Sequence, residues 1–497
     1  MAVQLAAPGV YVDEVPSGAR AITGVATSVT AFIGRCERGE TALTSPPTRI
    51  GSWADFERVC GGLSERSELS HAVRHFFLNG GSAALIVRVV PAGATPARFT
   101  LGGGLALEAR SPGEWGNGLR ISVSHGGALD NPGPDGFHLT VTDTVAETTE
   151  TFRFLSVAAA SQRQVTNVLE SQSKLVRVVT GSPMARPAVA TDVAPTAAGT
   201  EGGAIGVGDV AAAAARLDLA DTVNLVQVSP YADDGTSVPT NAYEEVLPFC
   251  ERLRAMLLVD PPDAWVDYED AADMTGMTAL RSPNVIMVHP RVRAVDPLKD
   301  GLVREFPPSG FIAGVMARTD ATRGVWKAPA GLEATLRGVS ELVEPLTEDR
   351  IGALNERGVN ALATRPVAGP VIWGSRTAFG SDARASEWKY VPVRRTALFI
   401  EASLRRGLNW VVFEPNDEPL WAQIRAAVGS FMQRLFVAGA FQGETPREAY
   451  LVKCDRETTT AADVDQGIVN IVVGFAPLKP AEFVVLKFQQ IAGQSGS

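Results

Sequence analysis

An interrupted rhythm constrains this chain more than any other feature. Residues 29–33 form a short apolar run, 52–59 and 67–78 are helix-like, Gly80-Gly81 stops the second helix, and 84–90 is rich in Val and Ile. The same alternation resumes much later, with strands expected at 222–228, 255–259 and 284–288 and helices at 243–254 and 267–280. Apolar strands separated by helices point to an α/β layer on a largely parallel sheet, buried on both faces. Between the two halves the grammar changes. Segments 100–110, 119–124, 137–143 and 151–154 are strand-like pieces broken by Gly, Pro and Asn, an all-β pattern set inside the α/β one. Its exit, the small-residue stretch 196–208, reads as a flexible connection.

A third region follows. Residues 394–406 read as a helix closed by Gly407, 410–413 as a strand, and Asn416 or Asp417 as the cap of a long helix with Pro419 in its first turn. Leu420, Ile424, Ala427, Phe431 and Leu435 recur there at helical spacing, and Gly439 ends the run. A strand pair is expected next, at 468–475 and 482–490, around Pro477 and Pro480. The expected fold is therefore a multidomain α/β protein. It has an N-terminal extended arm (1–24), a discontinuous central α/β domain (25–92 and 205–380), an inserted β-rich domain (93–204), an α+β C-terminal domain (381–480) and a C-terminal arm (481–497). A length of 497 residues suits several domains, because single cores stop growing well below it.

The search for chemistry finds little. There is no GxSxG, no Walker loop, and Gly202-Gly203-Ala204-Ile205-Gly206-Val207-Gly208 does not match GxGxxG, so it reads as a hinge. His71 and His75 lie at i, i+4 on an expected helix, a spacing that can hold a metal, but no third ligand is apparent and ordinary helix side chains are the simpler reading. Asp260-Pro261-Pro262 and His289-Pro290 sit at expected strand ends, where α/β sites form, yet no nucleophile matches them. Cys36, Cys60, Cys250 and Cys454 are scattered, as free thiols in a reducing compartment would be. A net charge of -10 without a Lys/Arg run speaks against nucleic acid as the main ligand. No secretory signal is visible in residues 1–16, and no run approaches a membrane span.

The two ends of the chain carry strand-like segments without adjacent partners. Val10, Tyr11, Val12, Asp13, Glu14 and Val15 lie between Pro8 and Pro16, while Phe483, Val484, Leu486 and Phe488 belong to an apolar stretch whose last three share one face by the period of two. Taken singly, such a strand pairs within its own subunit; two in one chain favour addition to a sheet edge of another copy. Ordering a lone arm costs about as much as its buried side chains return, so it holds only among many neighbours at high effective concentration. Arg394, Arg395, Arg405 and Arg406, facing Asp463 and Asp465, are candidate charge contacts between copies.

These ends also carry a resemblance. Pro8-Gly9-Val10-Tyr11-Val12-Asp13-Glu14-Val15-Pro16, with Ile22-Thr23-Gly24-Val25-Ala26-Thr27-Ser28, resembles the opening of contractile tail sheath proteins. Further similar segments are Phe311-Ile312-Ala313-Gly314, Trp373-Gly374-Ser375-Arg376-Thr377, Tyr390-Val391-Pro392-Val393-Arg394-Arg395, Trp410-Val411-Val412-Phe413-Glu414-Pro415-Asn416 and Pro480-Ala481-Glu482-Phe483-Val484. The family includes phage tail sheaths, tail-like bacteriocins and extracellular contractile injection systems. The resemblance implies a structural subunit, not an enzyme, that polymerises around an inner tube and contracts to drive the tube through a target envelope. It also implies that residues 10–15 and 483–488 are donated strands and that Ile468, Ile471, Val473 and Phe475 belong to the receiving sheet. The implied partners are further copies in a helical or stacked-ring homopolymer, the inner tube protein, and baseplate and tail terminator or cap proteins, without nucleic acid or membrane insertion. No cofactor is implied. Synthesis in a bacterial cytoplasm would precede incorporation into a virion tail or injection particle. The rivals are a soluble α/β hydrolase using Asp260 or His289, and a baseplate or fibre component that does not contract.

Overall fold

The computed structural model describes residues 21–127, 130, 132–179, 185–232 and 237–483. The chain divides into two compact units, one of residues 26–394 and one joining the N-terminal residues up to 25 with those from 395 onward.

The larger unit is built on an eight-stranded sheet. Its order is Gly369–Ile372, Val359–Arg365, Val285–His289, Met256–Val259, Leu225–Val228, Thr30–Gly34, Ala84–Arg88 and Thr48–Ile50. Neighbours are parallel except at the two ends, where Gly369–Ile372 and Thr48–Ile50 run antiparallel. The central strands are buried along their whole length, which is why they read as unbroken apolar runs. One face packs on the helices Val207–Ala214, Thr240–Leu253 and Glu348–Arg357, through Val210, Val246, Cys250, Ile351 and Leu354. The Glu68–Leu78 helix, started by Ser67 accepting from the Ser70 amide at 3.1 Å, puts the Phe76 ring 5.3 Å from that of Phe32 on its strand. Against it lies the Ser309–Arg323 helix, and the two backbones nearly touch. A Cβ on Gly310 would stand 2.6 Å from the Ala72 carbonyl oxygen, and one on Gly314 2.5 Å from that of Phe76.

The stretch inserted between the halves forms two antiparallel sheets. One has the order Ala190–Val193, Leu119–Ser124, Gly136–Asp143, Thr148–Ser156; the other Arg98–Thr100, Ala106–Ala109, Val176–Val178. They share a core with the helix Val165–Gln172, filled by Phe99, Leu107, Ile121, Phe137, Leu139 and Leu169. Arg88, buried at the end of its strand, donates to the carbonyls of Cys36 (2.8 Å), Glu37 (2.8 Å) and Pro112 (2.9 Å), and Arg38 bonds Asp143 at 2.9 Å. These two guanidiniums fasten the insertion to the main sheet.

Two expectations for this unit need correction, and one element was not expected. The first part of the stretch 196–208 is tied down instead of being a flexible connection: Thr95 and Thr200 pair through their backbones, Arg98 N donates to Ala197 O at 2.8 Å, and Gly199 N donates to Asn117 at 2.7 Å. Its small residues serve close approach, since a Cβ on Gly199 would stand 2.3 Å from the Gly113 carbonyl oxygen. The helix expected over 267–280 ends at Asp273, because Met274 and Gly276 adopt positive φ, and resumes only as a short turn at Thr278–Leu280. A small sheet in the order Val303–Phe306, Val292–Val295, Val339–Leu342 was not anticipated.

The smaller unit is formed around residues 395–407 of the helix Val391–Gly407 and the helix Glu418–Val437. Asp417 caps the second by accepting from the Leu420 amide at 3.3 Å, and the expected stripe of Leu420, Ile424, Ala427, Phe431 and Leu435 is buried. Residues 410–413 are not a strand. Asn409–Val411 is a tight 3-10 turn prolonging the preceding helix, and Phe413 is fully exposed at φ 72°. An apolar run of four between two helices has no ladder to join here, so its β-branched composition misleads. Ile22 is buried in this unit, with its carbonyl accepting from Arg434, and Val25 N donates to Ser403 Oγ at 3.2 Å.

Candidate assembly surface

The smaller unit ends in a sheet of two strands among the described residues: Tyr450–Lys453 pairs antiparallel with Val472–Phe475, in the register Tyr450 with Phe475, Leu451 with Gly474, Val452 with Val473 and Lys453 with Val472. The chain reaches it after the long helix ends at Gly439, where φ is +79°. Phe441 then wedges under the strands, its ring centroid 5.6 Å from Phe475 and 6.3 Å from Tyr450, and Gln442 N donates to Ala476 O at 2.9 Å. Tyr450 also donates from its hydroxyl to Gln433 at 2.9 Å. By the period of two, Tyr450, Val452, Val473 and Phe475 form the inner face, and Leu451, Lys453, Val472 and Gly474 the outer one. Leu451 is 48% and Val472 47% exposed, and Leu451 lies opposite a glycine with no side chain to cover it.

The loop between the strands is braced on the start of the long helix. Asn416 donates to Ile468 O at 3.0 Å and accepts from Trp421 Nε1 at 2.9 Å, while Arg425 donates to the Cys454 carbonyl and bonds Glu418 at 2.7 Å. Two strands of four residues are marginal by themselves, and each outer edge presents backbone donors and acceptors ready for another strand.

Ile468 and Ile471 precede the second strand, Ile468 exposed and Ile471 half-buried, whereas Val473 and Phe475 are on its inner face. The strand is shorter than the expected 468–475, and its partner is 450–453, which sequence reasoning missed although Tyr-Leu-Val-Lys carries the right alternation. Phe483 is 75% exposed. Val10, Tyr11, Val12, Asp13, Glu14, Val15, Val484, Leu486 and Phe488 lie outside the described residues. Among the charged candidates, Asp463 is engaged locally: its carboxylate accepts from the Thr460 hydroxyl (2.7 Å) and amide (2.9 Å), bonds that hold it below the usual carboxylate range. Asp465, Arg405 and Arg406 are exposed, Arg395 is buried, and Arg394 donates to Asn284 at 2.9 Å with its guanidinium 4.8 Å from the Trp388 ring centroid.

The enzyme candidates resolve into separate buried contacts. Asp260 accepts from the Ser309 amide (2.8 Å) and hydroxyl (2.6 Å), and burial pushes its carboxyl up to about 6. His289 instead bonds Glu344 at 2.7 Å, and burial lowers its pKa. His71 and His75 are buried against Phe306 and Phe311, His75 stacked on Phe311 at 3.9 Å, with His71 pushed down to about 4 by burial and by Arg304. No cluster of three or more metal-ligating side chains exists among the described residues.

Two family models match the chain: the phage tail sheath protein central domain over residues 203–378 and the phage tail sheath C-terminal domain over 384–491, together more than half of its length. A prophage major tail sheath protein of Pseudomonas aeruginosa is 28% identical over 236 residues, 47% of this chain and 57% of that protein. The tail sheath protein of Enterobacteria phage T4 is 23% identical over 186 residues, 37% of this chain and 27% of that one. The chain thus aligns with well under two thirds of the length of these relatives. Among solved structures, the helical sheath of the anti-feeding prophage in the contracted state superposes with a TM-score of 0.60 at 24% identity, covering 98% of this chain and 99% of the other. A sheath tail protein from Listeria innocua gives a TM-score of 0.63 at 16% identity, covering 92% and 96%.

Proposed function

Because the chain belongs to the contractile tail sheath protein family, we propose that it is a structural subunit that polymerises around an inner tube and contracts to drive that tube through a target envelope. The observation that carries this reading is the two-stranded sheet. It is anchored on one face by Phe441 and leaves Leu451 and Val472 on the other. The described residues that lie in the two arms, 21–24 and 481–483, belong to the same unit as that sheet. An added strand from residues 10–15 or 483–488 of a neighbour would extend the ladder at an edge and set its own side chains beside Leu451 or Val472 on the outer face. Each such contact is marginal, but its repetition through a lattice of linked copies makes it durable. A difference in packing free energy between two lattices would supply the work, with no nucleotide or metal. The tube, baseplate and terminator proteins are the partners such a lattice requires.

Electron microscopy of the purified chain tests this directly, with hollow tubes or cogwheel-like polymers as the expected result. Persistent monomers at high concentration, across salt conditions and with the tube protein present, would overturn it. Deleting residues 1–16, or the substitution Phe488→Asp, should leave circular dichroism close to that of the parent chain while polymers disappear. Loss of folding in either would assign the arms to their own subunit.

A further inference from the structure

The turn between the two long helices of the smaller unit holds an aromatic ring out in solvent. Asn409–Val411 prolongs the first helix, with the Val411 amide donating to Leu408 O at 3.0 Å and the Glu414 amide to Val411 O at 3.1 Å. Within that turn Val412 is 61% exposed, and Phe413 is wholly exposed at φ 72°. A left-handed backbone costs stability for a residue with a Cβ, and phenylalanine has no local means of offsetting it. Phe413 therefore carries strain while burying nothing in its own chain, and the fold of the single chain gives no reason for a phenyl ring there. The far end of the turn is fixed as well, since Asn416 donates to Ile468 O at 3.0 Å and accepts from Trp421 Nε1 at 2.9 Å. A ring held on a rigid turn loses little freedom when a partner covers it.

The same unit carries a surface of matching form. On the outer face of its two-stranded sheet Leu451 lies opposite Gly474, and Lys453 opposite Val472. Gly474 has no positive φ, and a Cβ built on it would meet only the Leu451 Cβ, at 3.8 Å. The absent side chain leaves a notch walled by the half-exposed Leu451 and Val472. The charges match too. Glu414, next to the ring, is exposed and has no ion pair among the described residues. Lys453, next to the notch, has an exposed pair with Glu457 at 3.3 Å, an interaction weak enough to be exchanged.

We propose that Phe413 of one copy seats in the Gly474 notch of the next, between Leu451 and Val472, with Glu414 set against Lys453. This contact rests on the assembly reading and adds to it: the arms tether neighbouring copies, whereas ring and notch fix how one copy is oriented on the next. Ring and notch are different surfaces of one unit, so the contact runs head to tail and repeats around a ring or along a helix instead of closing in a pair. One aromatic anchor with a charge pair at its rim is a concentrated source of binding energy, but its area is far below that of a stable dimer, so it acts together with the arms.

The test uses the full chain with Phe413 replaced by p-benzoylphenylalanine, prepared as an equal mixture of unlabelled and 15N-labelled copies, assembled with the tube protein and irradiated. Cross-linked peptides joining a light to a heavy copy should connect position 413 with 450–453 or 472–475. Phe413→Gly, which removes the ring and suits the backbone, and Gly474→Val, which fills the notch on an extended strand, should melt at or above the midpoint of the parent chain, yet raise the concentration needed for tubes at least about tenfold. Glu414→Lys and Lys453→Glu should each weaken assembly and together restore part of it. A parent chain that never polymerises overturns the assembly reading and this contact with it. Parent tubes in which position 413 captures nothing, the tube protein, residues 26–394 of a neighbour or only its own copy overturn this contact alone, as do tubes formed equally well by Phe413→Gly and Gly474→Val. The cross-links decide the matter even where Gly474→Val does not fold.

Discussion

The two units contain sheets of opposite character. The eight-stranded sheet of the larger unit keeps its central strands buried on both faces, and its terminal strands are short and antiparallel. The sheet of the smaller unit has two strands of four residues, with Leu451 and Val472 half in solvent. The first is complete within one chain, so its side chains are committed to folding. Among the described residues the second has no further strand on either edge and leaves Leu451 and Val472 half in solvent on one face, which is the surface the proposal assigns to a neighbour's strand. Equivalent substitutions in the two sheets should therefore be read by different assays. The largest effect on folding is expected for Leu257→Asp, which places an unpaired carboxylate between strands with no solvent on either side. A loss of at least about 4 kcal/mol, seen as insoluble or unfolded chain in thermal melts, would fit a sheet committed to folding. A soluble, cooperatively melting variant would break the comparison.

A smaller effect sharpens it from within the larger unit. His71 is neutral in the folded chain because burial and Arg304 push its pKa down to about 4, against an ordinary value of 6.5. A histidine depressed in this way adds stability above 6.5, and that stability is lost as pH falls through the folded value near 4. Glu68 and Asp296 face the same cluster through their ion pairs with Arg304, at 2.8 and 2.6 Å. Across this window the histidine accounts for about 3 kcal/mol, which His71→Leu should remove. The check is the pH dependence of denaturant midpoints, flatter between pH 6.5 and 4 in the variant than in the parent. Parallel profiles would mean that His71 is already charged in the folded chain.

How far these features could be read from sequence depends on what each residue type is used for. The central strands were legible because burial on both faces demands unbroken apolar side chains, as in Val285-Ile286-Met287-Val288, and no other use of such a run fits between helices. The sheet of Val292–Val295, Val303–Phe306 and Val339–Leu342 was not, since its strands mix Arg and Glu with Val, and Arg293 bridges Glu305 and Glu341 across it. In 196–208, small residues serving close approach, such as Gly199 and Gly202, are indistinguishable in sequence from a linker. At the candidate assembly surface, Val473 and Phe475 were visible as a strand, but its partner is separated from it by a loop of 18 residues, Cys454 to Ile471, braced by Asn416 and Arg425.

The smallest effect on folding, and the sharpest on the comparison, is expected at Leu451. Its side chain points away from Phe441 and the long helix and faces Gly474 across the ladder, so Leu451→Asp removes little that the isolated chain has buried. Exposed positions of this kind change stability by about 0.5 kcal/mol or less, and the thermal midpoint of the smaller unit should stay near that of the parent. A strand added at the edge beside it would, however, set apolar side chains against this position, and a carboxylate there would lose part of its water without gaining a partner. Tubes should then be absent under conditions where the parent chain forms them, and Leu451→Ala, which deletes the contact without adding charge, should form them more weakly. If Leu451→Asp assembles as well as the parent, the outer face remains in solvent in the polymer, and any added strand meets the sheet by its backbone edge alone.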